Sequence, residues 1–141
     1  MPPITVRPIA IADSRPLRQS ILRPHESVTE LAAHEPAGAH ALGAFDGERL
    51  ISVGFVAPDG EPGSWRVRGM ASAEGDRGRG AGTAVLEALL LHARAAGARR
   101  VWCNARPAAR TLYERAGMRI ASGEFEIPGI GTHVLMELRE R

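Results

Sequence analysis

The feature that most constrains this chain is a glycine-rich segment between a predicted strand and a long predicted helix. Residues 72–82 are polar and glycine-rich, and residues 83–96 contain neither glycine nor proline. Several glycines allow successive backbone N–H groups to point into one concavity, and the dipole of a following helix attracts an anion there. The segment therefore predicts a pyrophosphate site, and the alternative is an ordinary surface loop whose glycines only form turns.

Three familiar glycine-rich motifs do not fit this segment. In a Gly-x-Gly-x-x-Gly dinucleotide motif counted from Gly78 or Gly80, the third glycine is replaced by Thr83 or Val85. A Walker loop needs a lysine, and every one of the 18 Lys+Arg positions is arginine, which also excludes Schiff-base enzymes. An Arg-Gly nucleic-acid tract would be only two repeats long here and lacks nearby aromatic residues. We therefore expect no nucleic-acid partner.

The composition indicates one soluble domain over residues 1–141. A hydrophobic fraction of 44% in 141 residues is enough for one core, and no apolar run approaches the 18 residues of a membrane span. The single cysteine, Cys103, allows no intramolecular disulfide and no site with two thiolate ligands. No signal-peptide pattern is present. We expect a cytoplasmic protein without metal, as a monomer or homodimer.

Turn and cap residues divide the chain into alternating elements. Asp13 or Ser14 is predicted to cap the first helix, and Asp46-Gly47 predicts a hairpin. The order is βαβββαβαββ, which predicts an α+β fold with a mixed central sheet of about six or seven strands flanked by helices. The predicted strands are 4–9, 39–45, 50–57, 64–71, 99–103, 118–127 and 132–138, and the main predicted helices are 83–96 and 107–116.

At the glycine-rich segment the sequence resembles the GNAT (GCN5-related) N-acetyltransferases. Their acetyl-CoA loop follows Arg/Gln-x-x-Gly-x-Gly/Ala, which the run Arg77-Gly78-Arg79-Gly80-Ala81-Gly82 matches. Residues 66–71 are similar to the family strand that precedes this loop, and residues 112–118 are similar to its later tyrosine-containing signature. Residues 124–133 are similar to the closing segment of small stand-alone bacterial members.

The resemblance implies acetyl-CoA as co-substrate and assigns residues to it. The backbone of Met70 and Ala71 would bind the pantetheine arm as an added strand does. Asn104 would also contact that arm, although the family often has an asparagine where this chain has Arg106. The pyrophosphate would be held by Arg77, Gly78, Arg79, Gly80, Ala81, Gly82 and Thr83.

The resemblance also implies chemistry at the acceptor side. Tyr113 would be the general acid that protonates the leaving thiolate, or else an aromatic that packs on the sheet. Arg66 and Arg68 share one strand face, so they either attract an anionic acceptor or lie in solvent. His133 is a further residue for the acceptor site. This strand lacks the glutamate base of many relatives, so water, Glu26 or a histidine would take the proton.

These residues predict an enzyme that moves an acetyl group from acetyl-CoA to a small-molecule primary amine by direct attack. Cys103 lies between apolar strand residues and is predicted to be a buried thiol, not a nucleophile. Two alternatives stay open. One is a CoA-binding sensor or interaction module on the same fold, and the other is an acyltransferase that acts on a protein amine.

Overall fold

A computed structural model describes residues 3–140, in which one mixed sheet is flanked by helices. The helices are α1 (Ile11–Leu22), α2 (Val28–Ala33), α3 (Ala81–Ala95) and α4 (Arg110–Arg115). The strands are β1 (Ile4–Ile9), β2 (His40–Asp46), β3 (Arg49–Pro58), β4 (Ser64–Ser72), β5 (Arg100–Ala105), β6 (Arg119–Ile120), β7 (Phe125–Ile127) and β8 (Gly131–Arg139). The predicted α+β class is confirmed.

The strands lie in the order β1-β2-β3-β4-β5-β8-β6, with β7 also paired to β8. Strands β1 to β4 form an antiparallel meander that includes the predicted hairpin at Asp46-Gly47. The pairing of β4 with β5 is parallel, so the chain must cross over between them, and α3 forms that crossover. The glycine-rich segment is therefore the connection that enters the crossover helix.

Successive residues of β3 face different helices, which shows how the layers are arranged. Gly54 faces Val85 and Leu89 of α3, whereas the ring of Phe55 contacts Arg18 of α1. Helices α1 and α3 thus cover opposite faces of the sheet. The main core lies on the α3 side, and the apolar residues that recur at helical spacing in α3 are all buried, namely Val85, Leu86, Leu89, Leu90 and Ala93.

The start of α1 differs from the prediction, because the helix begins at Ile11 with Ala10 as its N-cap residue. Ser14 is not a cap. Its fully buried hydroxyl donates to the Ile11 carbonyl at 2.6 Å and accepts from Arg18 at 3.2 Å. The hydroxyl therefore positions an arginine inside the helix, which a local capping rule does not reveal.

The predicted strand over residues 118–127 is wrong, because the structure divides it into β6 and β7. Between them, the Ala121 N–H donates to the Leu135 carbonyl. The Ser122 hydroxyl accepts from the Leu135 N–H at 2.9 Å. A side chain thus replaces a backbone acceptor and interrupts the ladder, so the sheet has eight strands.

Candidate active site

The site begins where β4 and β5 separate. Their parallel pairing covers only Ser64–Arg66 of β4 and Arg100–Trp102 of β5. Beyond these residues the facing edges pair with no other strand within residues 3–140, so backbone donors and acceptors of both strands line a wedge-shaped opening. Met70 and Ala71 lie on the β4 edge, and Asn104 lies on the β5 edge, as the predicted arm-binding positions require.

A bulge in β4 widens the opening. The register with β3 shifts between Val53, which pairs with Ala71, and Phe55, which pairs with Arg68. Gly69 lies in the bulge at φ +68°, and a Cβ built there would be 2.6 Å from Cε1 of Phe55. Glycine is thus required at this position both for its backbone angle and for its close approach to a ring.

The glycine-rich segment presents a row of free backbone donors. Gly78 and Gly80 have φ +81° and +80°, and Gly80 is the N-cap residue of α3. Within residues 3–140 the six consecutive N–H groups from Gly78 to Thr83 have no hydrogen-bond acceptor. The first turn of α3 carries no acidic side chain. This arrangement of donors at a helix N-terminus is suited to an anion with several oxygens.

Ion pairs attach this segment to the β2–β3 hairpin. Arg79 contacts Asp46 at 3.1 Å and Asp76 at 3.0 Å, and Arg49 contacts Asp76 at 2.5 Å. The hydrogen bond from Arg49, followed by that from Arg79, holds the pKa of the Asp76 carboxyl below its ordinary value. The Arg79 guanidinium therefore already binds the carboxylates of Asp46 and Asp76. Arg77, in contrast, is exposed and has no ion pair among the described residues.

Tyr113 of α4 lines the cleft that opens between β4 and β5, although its side chain is only 6% exposed. Burial, and to a smaller extent Cys103, raises the pKa of its phenol above the ordinary value. Its hydroxyl has no hydrogen-bond partner in the described part of the chain. The group is therefore protonated at neutral pH and free to donate into the cleft.

Cys103 belongs to the structural core and not to the cleft chemistry. The residue is 1% exposed, and burial raises the pKa of its thiol to about 12. A thiol that stays protonated is a poor nucleophile, because the thiolate is the reactive form. The geometry thus agrees with the prediction of a buried thiol.

The cleft has a volume of about 450 Å³ and lies mainly on the α1 side of the sheet. Arg66 and Arg68 both line it, and Val67 between them, which is buried in the core cluster, also contributes to the lining. His133 of β8 and Asn104 of β5 line it as well. Sequence periodicity predicted that the two arginines share a face, and the structure shows that this face borders the cleft.

The charge of the cleft is strongly positive. One carboxylate, Glu26, lines it together with five arginines, which are Arg18, Arg23, Arg66, Arg68 and Arg106. Three of these arginines are paired: Arg18 with Glu35 at 2.6 Å, Arg23 with Glu26 at 3.9 Å and Arg66 with Asp59 at 3.7 Å. Neither Arg68 nor Arg106 has an ion-pair partner within residues 3–140.

Arg68 lies among other cations and is half-buried. Burial, and then the neighbouring charges of Arg66 and Arg18, lowers the pKa of its guanidinium from the ordinary value. Its Cζ lies 5.8 Å from the centroid of the Phe55 ring. A half-buried guanidinium with cationic neighbours favours binding of an anion.

Sequence reasoning missed three cleft residues, Arg18, Arg23 and Arg106. Arg106 donates to the Leu22 carbonyl at 3.3 Å, a contact between residues 84 positions apart in the chain. Arg18 is held by Ser14 of its own helix and by Glu35, which lies 17 residues further along the chain. Such long-range contacts leave no local pattern. Only the departure of Arg106 from the family motif pointed to an unusual residue at that position.

No helix between residues 3 and 140 is long and apolar enough to cross a membrane. In the same range, no three or more His, Cys, Asp and Glu side chains are grouped so that they could hold a metal ion.

The comparisons with known proteins agree with this geometry. A model of the acetyltransferase (GNAT) family matches residues 9–118. The uncharacterized N-acetyltransferase YitI of Bacillus subtilis (strain 168) is 34% identical over 140 residues, which covers 94% of each chain.

Solved structures share the fold at lower identity. An IAA acetyltransferase from Bacillus cereus ATCC 14579 has a TM-score of 0.78 at 17% identity, covering 98% of this chain and 100% of its own. A Bacillus subtilis acetyltransferase in complex with CoA has a TM-score of 0.74 at 16% identity, covering 98% of both chains. The mixed sheet and its order of elements are therefore those of a known fold.

Proposed function

The chain belongs to the GNAT acetyltransferase family, and from this membership we propose that it acetylates the primary amine of a small molecule that also carries an anionic group, such as an amino acid. Acetyl-CoA-dependent N-acetyl transfer is the activity of the family. The identity of the acceptor is the new part of the proposal. We further propose that residues 1–141 act as one catalytic domain.

On the donor side, we assign the pyrophosphate of acetyl-CoA to the N-terminus of α3. The free N–H groups from Gly78 to Thr83 supply the donors, and Arg77 supplies an unpaired charge. The pantetheine arm would pair with the free edge of β4 at Met70 and Ala71 and contact Asn104 across the opening. Arg79 contributes through its backbone, since its side chain holds the segment to Asp46 and Asp76.

The acceptor proposal rests on one observation, the unpaired Arg68 in a cleft with five arginines and one carboxylate. A cationic polyamine would meet repulsion there, whereas a carboxylate next to the amine would form charge-assisted hydrogen bonds. The volume of about 450 Å³ is in the usual range of small-molecule pockets. Arg66 would assist, because it lines the same cleft two residues before Arg68 on β4.

The reaction would proceed by direct attack of the amine on the thioester carbonyl. A covalent enzyme intermediate is disfavoured, because the one cysteine is buried with its pKa raised to about 12. Tyr113 would donate its phenolic proton to the departing sulfur, and its raised pKa keeps that proton available across the physiological range. The role of the tyrosine is thus to neutralise a thiolate that would otherwise recombine.

The test is a comparison of acceptors with the double variant Arg66→Gln/Arg68→Gln. Release of the CoA thiol is measured with amino acids and with polyamines as acceptors. Loss of charge-assisted contacts that together contribute about 1.5–3 kcal/mol should raise KM for the anionic acceptor roughly ten- to a hundredfold, with little change for acetyl-CoA.

A matched control removes two arginines outside the cleft. Arg94 and Arg115 are exposed, so Arg94→Gln/Arg115→Gln changes the net charge equally without touching the cleft. This control should keep the wild-type KM for both substrates. Turnover of a polyamine better than of any anionic amine would overturn the acceptor proposal.

A further inference from the structure

A buried histidine faces the cleft beyond the residues used so far. His133 is 4% exposed, lines the cleft and forms a cross-strand pair with Phe125. The two ring centroids are 6.3 Å apart. The next residue, Val134, pairs with Ala105, the last residue of β5. His133 therefore lies just past the end of β5, at the wide end of the opening where the acceptor would enter.

A backbone contact determines which nitrogen of this imidazole is free. Nδ1 of His133 is 2.8 Å from the carbonyl oxygen of Gly131. A carbonyl only accepts, so Nδ1 carries the proton, and in the neutral ring Nε2 then has a lone pair. Nε2 has no hydrogen-bond partner among the described residues. The hydrogen bond to the Gly131 carbonyl thus fixes the tautomer and orientation of the His133 ring, as the carboxylate does for the histidine of a catalytic triad.

We propose that His133 is the general base that takes a proton from the acceptor amine. This inference rests on the proposed acyl transfer. As the neutral amine forms the C–N bond, one N–H proton passes to Nε2 of His133. The C–S bond then breaks, its electron pair goes to sulfur, and sulfur takes the proton of Tyr113. Solvent returns the proton from the imidazolium to the phenolate, so one amine and one thioester give one amide and one thiol.

The other basic groups of the cleft are less suitable. Glu26 is paired with Arg23 at 3.9 Å, and His34 is exposed at the C-terminal end of α2. His133 alone combines burial, a defined tautomer and a place at the end of β5. The charged and titratable groups that line the same cleft are Arg18, Arg23, Glu26, His34, Arg66, Arg68, Arg106 and Tyr113.

The variant His133→Asn removes the proposed base but keeps the hydrogen bond to the Gly131 carbonyl. An asparagine amide can donate to the Gly131 carbonyl from nearly the place of Nδ1, but it has no counterpart of Nε2. The acceptor for the assay is the amine that wild type acetylates fastest among amino acids and polyamines. With this acceptor, kcat/KM of His133→Asn at pH 7 should be about 10²–10⁴-fold lower than that of wild type. The loss should shrink as pH rises, because hydroxide replaces the base, and the Kd for acetyl-CoA by calorimetry should stay within about twofold of wild type.

Two other variants complete the experiment. His25→Asn makes the same exchange at an exposed histidine outside the cleft and should behave as wild type. Glu26→Gln removes the other candidate base and should lower kcat/KM far less than His133→Asn does. His133→Asn activity within a few-fold of wild type, or a larger loss of kcat/KM in Glu26→Gln than in His133→Asn, would overturn this inference and leave the proposed function standing.

A measurement without turnover guards against a variant that does not fold. The ¹⁵N–¹H correlation spectrum of the wild-type imidazole should show Nδ1 protonated in the neutral ring. A ring protonated at Nε2 would contradict the proposal. Failure of wild type to acetylate any amine in the panel would overturn the proposed function, and with it the role of His133 as a base.

Discussion

Removal of the Tyr113 hydroxyl is the most direct test of the chemistry. Tyr113→Phe keeps the ring, which is buried against the core with Cys103 and Val134. The hydroxyl has no hydrogen-bond partner among residues 3–140, so no contact is broken and no buried partner loses a bond. The free energy of unfolding in urea should therefore stay the same or rise by up to about 1 kcal/mol.

The catalytic effect should be much larger than the effect on stability. A lost general acid typically costs about 10²–10⁴ in rate, or about 2.7–5.5 kcal/mol of barrier. The loss should fall mostly on kcat, because the proton is donated only as the C–S bond breaks. The assay is CoA thiol release under saturating acetyl-CoA from pH 6 to 9, with the Kd for acetyl-CoA measured separately.

The raised pKa of Tyr113 can be measured in the same protein. Tyr113 is the single tyrosine of the chain, so the ultraviolet absorbance of its phenolate reports on this residue alone. Burial raises the pKa of the Tyr113 phenol in the folded protein, so the phenol should ionise at higher pH in native protein than in urea. Its contribution to stability is complete below the unfolded pKa of about 10 and is lost as pH rises through the folded value.

One kinetic result would refute this reasoning. If Tyr113→Phe turns over within a few-fold of wild type across pH 6–9, the thiolate departs without the phenol, and Tyr113 is a packing residue. A native ionisation at or below that of the unfolded chain would refute the electrostatic argument independently.

Two glycines provide the other tests. Gly80→Glu places a carboxylate in the proposed pyrophosphate site, on a backbone whose positive φ strains any side chain, so calorimetry should show loss of acetyl-CoA binding. The control Gly75→Glu lies in the same loop, with open space and no positive φ, and should bind acetyl-CoA normally. Unchanged affinity in a folded Gly80→Glu variant would rule out the site. Gly69→Ala should lower the free energy of unfolding by about 1–3 kcal/mol or more, because its Cβ would lie 2.6 Å from Phe55 and its φ is +68°. The control Gly123→Ala, whose Cβ would meet no described atom within 4 Å, should leave the free energy of unfolding unchanged. Equal urea midpoints for these two alanine variants would contradict this account of the bulge.

Local patterns predicted the glycine-rich turn and the helix that follows it. The glycines between a strand and an uninterrupted amphipathic helix define both the turn geometry and the helix start, and these depend on neighbours in sequence. The structure adds the reason that the segment holds its shape, since Arg79 and Arg49 join Asp46 and Asp76 across 33 and 27 residues. From the sequence pattern alone, Arg79 is only a charged residue next to glycines.

Elements with weak local signals were predicted less well. The break between β6 and β7 depends on Ser122, whose hydroxyl replaces a backbone acceptor for Leu135. The early start of α1 has no capping side chain to mark it, because the N-cap residue is Ala10 and the Ser14 hydroxyl binds within the helix. Local rules therefore do not apply: Leu135 is distant from Ser122 in sequence, and Ala10 carries no cap.

The sequence by itself determined the fold class, the glycine-rich segment and the one-sided burial of α3, because these follow from the spacing of neighbouring residues. Only the tertiary structure decided the chemistry of the acceptor side. The separation of β4 from β5, the unpaired charge of Arg68 and the tautomer of His133 each depend on how distant strands and helices meet. Spacing along a chain can place a residue on a face, but the neighbours that neutralise, bury or orient it come from packing in three dimensions.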